Sequence, residues 1–196
     1  MSELYFRLAT LLFVLGCSLS ATSIQAQSGN IRDADVYSSG AILTIAINEQ
    51  DSTTIELYDS DEVLLATLNA PTGVSRIADI AWNSTGDQLA VVYSDSIPRV
   101  IVWNVTTQQI VRDQSVNFAR FVKWHPLDSN ILAISTGNSI IVYNALSDQS
   151  VDSGPITGSS ISQLEWRPDG LQIATLTESG ELQIRSAQTL FLVLRL

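Results

Sequence analysis

Sulfur, basic side chains and charge in general are scarce in this 196-residue chain, and each shortage excludes something. There is one cysteine, Cys17, so no disulfide can close within the chain. There is one histidine, His125, which rules out the His/Cys clusters that hold zinc. There is one lysine, Lys123, and Lys plus Arg total 10 against 20 Asp plus Glu, a formal net charge of −10. A nucleic-acid binder needs a basic stripe to displace counterions from phosphates, and none is present. The same acidity opposes adsorption to an anionic membrane. Charged residues make up only 15% and hydrophobic ones 45%, which is not the composition of a disordered chain. Helical runs of Ala, Glu, Lys and Leu are missing while Val, Ile, Leu and Thr dominate, so the chain is expected to be all-β.

The N-terminus departs from this pattern. Arg7 precedes an apolar run from Leu8 to Leu19, and small or polar residues follow as far as Ala26. That is the layout of a secretory signal peptide over residues 1–26. The run is shorter than the roughly 20 apolar residues of a transmembrane helix. Cleavage after Ala26 puts Gln27 first and leaves no cysteine, which fits an exported bacterial envelope protein. Val14-Leu15-Gly16-Cys17 also resembles a bacterial lipobox, and that resemblance implies a lipid anchor on Cys17. Soluble export and lipid anchoring both stay open. Glycosylation sequons at Asn83 and Asn104 are read as chance matches to a common tripeptide.

Internal repetition is the main signal. IADIAWNSTGDQLAVVY from Ile77, FVKWHPLDSNILAIST from Phe121 and ISQLEWRPDGLQIATLT from Ile161 align, with Trp82, Trp124 and Trp166 spaced by 42 residues. A third apolar run follows in each, reaching Trp103, Tyr143 and Arg185, and a weaker fourth closes the unit. A fainter copy begins at Ile31, with Tyr58 in the place of Trp103. Turn-formers such as Ser84-Thr85-Gly86-Asp87 and Pro168-Asp169-Gly170 separate the runs. The expected domain is 27–196, with units at about 31–69, 74–113, 116–152 and 159–196. A period of about 40–45 residues with four short strands is that of a propeller blade. Blades that stack bury both sheet faces except at the ends of the array, which explains the near-continuous apolar runs. Trp82, Trp124 and Trp166 are then wedges between blades.

Trp166-Arg167-Pro168-Asp169-Gly170 with Ile173-Ala174, and Trp124-His125-Pro126 with Leu132-Ala133, resemble the repeats of WD-repeat β-propellers, bacterial exported ones above all. The resemblance spans about 31–196 and implies blades of four antiparallel strands, the tryptophan-ended strand innermost or nearly so. The repeats are degenerate. The family's Gly-His pair is absent, and its Trp-Asp dipeptide is reduced to Trp103-Asn104, Tyr143-Asn144 and Tyr58-Asp59. Its buried His-Ser/Thr-Asp-Trp tetrad is therefore incomplete. Four units fall short of the family's usual count of about seven blades. A truncated reading frame, an arc that pairs with a second copy, and a tight four-bladed closure are all compatible with that, and open blade edges favour self-association.

Candidate chemistry is sparse. His125 stands alone in a turn, and a general base needs a positioned partner. Asp59, Asp61 and Glu62 share a turn but lack the glycine and distal glutamate of a calcium loop. Glu178 and Glu181 flank a hairpin turn and read as exposed. No nucleophile elbow, P-loop or dinucleotide fingerprint is present. No catalytic, cofactor or metal residue is therefore assigned. The expected function is a non-enzymatic, protein-binding scaffold of the cell envelope or extracellular space. The alternative is a secreted propeller enzyme, or a propeller that binds calcium or carbohydrate.

Overall fold

The computed structural model describes residues 31–39, 42–49, 53–61, 63–74, 76–94, 98–156 and 158–196. The expected signal segment, with Cys17, lies outside the described residues. Among the described residues there are sixteen strands and no helix. The all-β expectation holds, and the strands form four antiparallel sheets of four.

The first blade holds β1 (Ile31–Ser39), β2 (Ile42–Glu49), β3 (Thr54–Asp59) and β4 (Leu64–Asn69). The second holds β5 (Ile77–Trp82), β6 (Gln88–Tyr93), β7 (Arg99–Asn104) and β8 (Gln109–Ser115). The third holds β9 (Ala119–Trp124), β10 (Ile131–Thr136), β11 (Ile140–Asn144) and β12 (Gln149–Asp152). The fourth holds β13 (Ile161–Trp166), β14 (Gln172–Thr177), β15 (Leu182–Ser186) and β16 (Leu192–Arg195). Each sheet is a meander in sequence order, because short turns permit only antiparallel neighbours. Gly86 and Gly170 occupy the same place in the first turn of their blades at φ 73° and 74°, a conformation that favours glycine.

The first strands stack in succession, β5 on β1, β9 on β5 and β13 on β9, so the tryptophan-ended strand is the inner one, as expected. No comparable packing joins β13 to β1 among the described residues. The pairing of every first strand with its second carries a register shift near its start, at Ile31/Asp33, Ile77/Asp79, Ile134/Thr136 and Ile161/Gln163. A bulge there raises the local twist in all four blades alike.

The cores lie between blades. Each sheet has a near face toward the preceding blade and a far face toward the next. Ile55, Leu57 and Leu68 of the first blade meet Leu89, Ile101 and Trp103 of the second. Ala90, Val92, Val100 and Val102 of the second meet Trp124, Leu132 and Tyr143 of the third. Ala133 and Ile140 of the third meet Ile161, Leu164 and Ile173 of the fourth. An inner blade is covered on both faces, and β6 is accordingly buried from Leu89 through Tyr93. In β14 burial alternates, with Ile173, Thr175 and Thr177 buried and the residues between them half-buried. Period-2 burial is what a sheet covered on one face shows.

Candidate functional site

The inner tryptophans, Asp35 and His125 lie where the first strands meet the turns that follow them. The indole nitrogens form a ladder across blades. Trp82 Nε1 donates to the Asp35 carbonyl oxygen at 3.3 Å, Trp124 Nε1 to that of Ala81 at 2.9 Å, and Trp166 Nε1 to that of Lys123 at 3.0 Å. Two carboxylates reinforce it. Asp35 Oδ2 accepts the Trp82 backbone N–H at 2.8 Å, and Asp79 Oδ2 accepts that of Val122 at 2.7 Å. The tryptophans are thus wedges, and each is also a hydrogen-bonded rung.

A cleft of about 370 Å³ opens at this end of the arc, lined by Asp35, Tyr37, Trp82, Trp124, His125 and Pro126 among others. The state of its polar groups decides what chemistry it can do. Burial pushes the Asp35 carboxyl above its ordinary value, against the lowering effects of the Trp82 N–H and of Lys123. His125 Nδ1 accepts the backbone N–H groups of Leu127 at 3.1 Å and Asp128 at 2.9 Å. That leaves the ring proton on Nε2, which lies 3.2 Å from the Gly170 carbonyl oxygen. Both ring nitrogens are engaged by backbone, so the imidazole is a structural bridge from the third blade to the fourth. Asp35 and His125 line one cleft without bonding to each other, and no nucleophile–base pair forms.

The other candidates also resolve into structure. Asp59 Oδ1 accepts the N–H groups of Asp61 and Val63, both at 2.9 Å, which is the work of a turn carboxylate. Glu62 lies outside the described residues. Among the described residues no group of three or more His, Cys, Asp or Glu could hold a metal ion. Glu178 pairs with Arg120 at 2.7 Å across the third and fourth blades. Glu181 departs from the expectation of an exposed turn residue. It is half-buried, pairs with Arg195 at 2.7 Å, and accepts from Gln183 Nε2. Gln183 Oε1 in turn accepts from the buried Arg185, whose Nη1 donates to the Leu190 carbonyl oxygen at 2.8 Å. Asn83 is buried and bonded to Thr85, Asp87 and the Gln88 N–H, so its sequon is a turn motif and is closed to glycosylation.

The Trp103 indole nitrogen, at the reduced Trp-Asp dipeptide, is buried with no hydrogen-bond partner, as is the Tyr93 hydroxyl. Burial pushes the Tyr93 phenol up to about 12, against a lowering contribution from the Trp103 indole.

The family model for eukaryotic translation initiation factor eIF2A matches residues 33–193, which is most of the chain. The chain belongs to the eIF2A family. That match covers all four blades and leaves residues 1–26 outside it. Among solved structures, this eIF2A-family chain is similar to the β-propeller domain of Cps50 (Swd1) from Myceliophteria thermophila, at 15% identity and a TM-score of 0.71. The similarity covers 87% of this chain and 55% of that one, so the chain spans about half the length of that propeller. At that identity the likeness establishes a propeller fold alone. The comparison with curated proteins found no match.

The clamp formed by Asp35 and Asp79 could not be read from the sequence. Their partners are 47 and 43 residues away and are backbone N–H groups, which have no sequence signature.

Proposed function

We propose that this eIF2A-family chain is a non-enzymatic scaffold that binds protein partners through the end of the arc where the cleft opens. One observation carries the reading. In a four-stranded meander the first and third turns fall at the same end of the sheet. The tips of those turns present Leu127, Leu146 and Leu171 at 71%, 81% and 64% exposure, at the end of the sheets where a cleft walled by tryptophan opens. Large apolar side chains exposed at one end of adjacent blades are surface that a protein partner can cover. Aromatic walls are what such contacts use. The hydrogen bonds of Asp35 and His125 within the blades support a binding role over a catalytic one.

The family is named for a factor of translation initiation. A net charge of −10 and a single lysine favour a protein partner over RNA here. The apolar run from Leu8 to Leu19 supports export to the envelope or extracellular space, with residues 1–26 removed or Cys17 lipidated. The test of binding is a comparison of the partner set retained by wild type and by Leu127→Asp/Leu171→Asp, both checked for β-rich circular dichroism. Loss of the retained partner in the variant supports the reading, and an unchanged set overturns it. The test of export is the mass of the chain recovered from its host. A first residue of Gln27 or a lipid on Cys17 supports it, and an intact Met1 inside the cell overturns it.

A further inference from the structure

Each leucine exposed at the cleft end shares its turn with an aspartate. Leu127 is followed by Asp128, Leu146 stands two residues before Asp148, and Leu171 two after Asp169. The Ala145 backbone N–H donates to the Asn130 carbonyl oxygen at 2.8 Å, which joins the turns of Leu127 and Leu146 into one tip of the third blade. Asp59, Asp61 and Asp87 lie in or at the edge of turns at the same end. Against these six carboxylates the same turns hold one basic residue, Arg167, among the described residues. We propose that the partner taken at this end is basic: a protein segment in which lysine or arginine stands among apolar side chains. This occupant presupposes the scaffold reading above and gives the partner its chemistry.

Charge complementarity selects it. Arg167 pairs with Asp169, and Arg112 reaches Asp148 at 2.8 Å. Asp59, Asp61, Asp87 and Asp128 have no Lys or Arg at ion-pair distance among the described residues. In Asp59, Asp87 and Asp128 the hydrogen bonds that hold the turn all fall on Oδ1, which leaves Oδ2 to accept from outside. The Thr85 hydroxyl, against a smaller effect of burial, holds the Asp87 carboxyl below its ordinary value, so it is charged at neutral pH. Asp87 and Asp128 flank the cleft, since Ser84 and Pro126 of their turns line it. An ammonium or guanidinium carried to an apolar contact here meets carboxylates, whereas an acidic segment meets repulsion. Phe118, 76% exposed at the opposite end, stands in a turn without charge, Val116-Asn117-Phe118-Ala119. Blades stacked on either side cover sheet faces and leave turn tips open, so this end is accessible in an array of any length.

The experiment is fluorescence anisotropy of the full chain with a short dye-labelled peptide of Gly, Leu and Lys, at about 0.15 M salt, where exposed charges act over roughly 8 Å. Two counterparts have Glu in place of Lys, or Ser in place of Leu. Asp87→Asn/Asp128→Asn keeps the Oδ1 acceptors and removes two charges. Asp152→Asn/Glu178→Gln removes two at the opposite end, so the variants have the same net charge. Circular dichroism checks that both stay β-rich. The expected result is binding of the Leu/Lys peptide, weakened about fivefold or more by Asp87→Asn/Asp128→Asn and unchanged by the other pair. The Ser/Lys peptide should bind more weakly and the Leu/Glu peptide not at all. Equal losses in the two variants overturn the proposal, because the attraction is then to net charge and not to this end. Equal binding of the Leu/Glu peptide overturns it too, and leaves the scaffold reading standing, since that reading asks only for the leucines. Absence of binding by the Leu/Lys peptide also overturns it, and the scaffold reading is then decided separately by the partner set of Leu127→Asp/Leu171→Asp.

Discussion

The imidazole of His125 in the third blade covers Gly170 in the first turn of the fourth, and meets Trp166 edge-on at 4.8 Å between ring centroids. A Cβ on Gly170 would overlap that imidazole. The same relation holds one repeat pair earlier, where a Cβ on Gly86 would overlap the Tyr37 ring. Between them stands Asn83, a smaller side chain, and the turn of the third blade has no glycine: Pro126-Leu127-Asp128-Ser129. Large residue over glycine, small residue over a fuller turn, is the size match that sets how closely adjacent blades approach.

That match predicts a coupled pair. Gly170→Ala places a side chain at φ 74° and in the space of His125. It should cost about 1 kcal/mol for the backbone and about 1–3 kcal/mol more for the overlap. His125→Ala strands the Leu127 and Asp128 N–H groups and should cost about 1–3 kcal/mol. The double variant should be more stable than the sum of the two losses implies, by at least about 0.5 kcal/mol. Urea denaturation of the four proteins measures this. Simple additivity would show that the two residues do not share the space.

The tryptophans rank by burial. Trp124 is 6% exposed, whereas Trp166 is only half-buried. Trp124→Ala should cost about 3–5 kcal/mol, and Trp166→Ala clearly less. Substitution of either by Phe keeps most of the volume and removes the rung to the preceding blade, at a cost of about 1 kcal/mol. Equal losses for the two alanine variants would contradict the interblade packing described here.

Tyr93→Phe should be neutral or stabilising by up to about 1 kcal/mol, because it deletes a buried hydroxyl that has no partner. A thermal melt beside wild type is sufficient. A loss above about 1 kcal/mol would mean that the hydroxyl does bond the Trp103 indole in solution.

Much of the architecture was legible in the sequence because it depends on local regularities. The 42-residue spacing of Trp82, Trp124 and Trp166 gave the repeat, and the turn-formers between apolar runs gave the strands. The relations between blades were not legible. Gly170 reads as a turn residue, and nothing local says that His125, 45 residues earlier, lands on it. Arg185 reads as a lapse in the apolar pattern, and only its bonds to Gln183 and Leu190 show how a buried guanidinium is satisfied at a position held elsewhere by Trp103 and Tyr143. The cleft is assembled from three blades, so no single stretch of sequence encodes it.

Asp35 carries a pH dependence opposite to that of most native carboxylates. Its carboxyl is raised above the ordinary 3.8, chiefly by burial. The folded chain therefore holds the charged form less readily than the unfolded chain does. Ionisation costs stability above the raised value, and protonation relieves that cost as pH falls toward 3.8. Lys123 attracts the charge and Glu165 repels it, and neither reverses the direction. Asp35→Asn removes the charge and keeps an amide oxygen for the Trp82 N–H. It should be more stable than wild type at pH 7, with the advantage shrinking through the raised value and gone below the ordinary one. Asp35→Ala leaves that N–H without its acceptor and should lose about 1–3 kcal/mol at pH 4, and less at pH 7, where removal of the burdened charge offsets part of that loss. Because both variants are compared with wild type at the same pH, the depressed carboxyls of Asp87 and Asp169, held down by the Thr85 hydroxyl and by Arg167, cancel from the difference. Denaturant midpoints at pH 7 and pH 4 decide the matter. An Asp35→Asn chain less stable than wild type at pH 7, and closer to it at pH 4, would mean that the carboxylate is held by attraction and not burdened by burial.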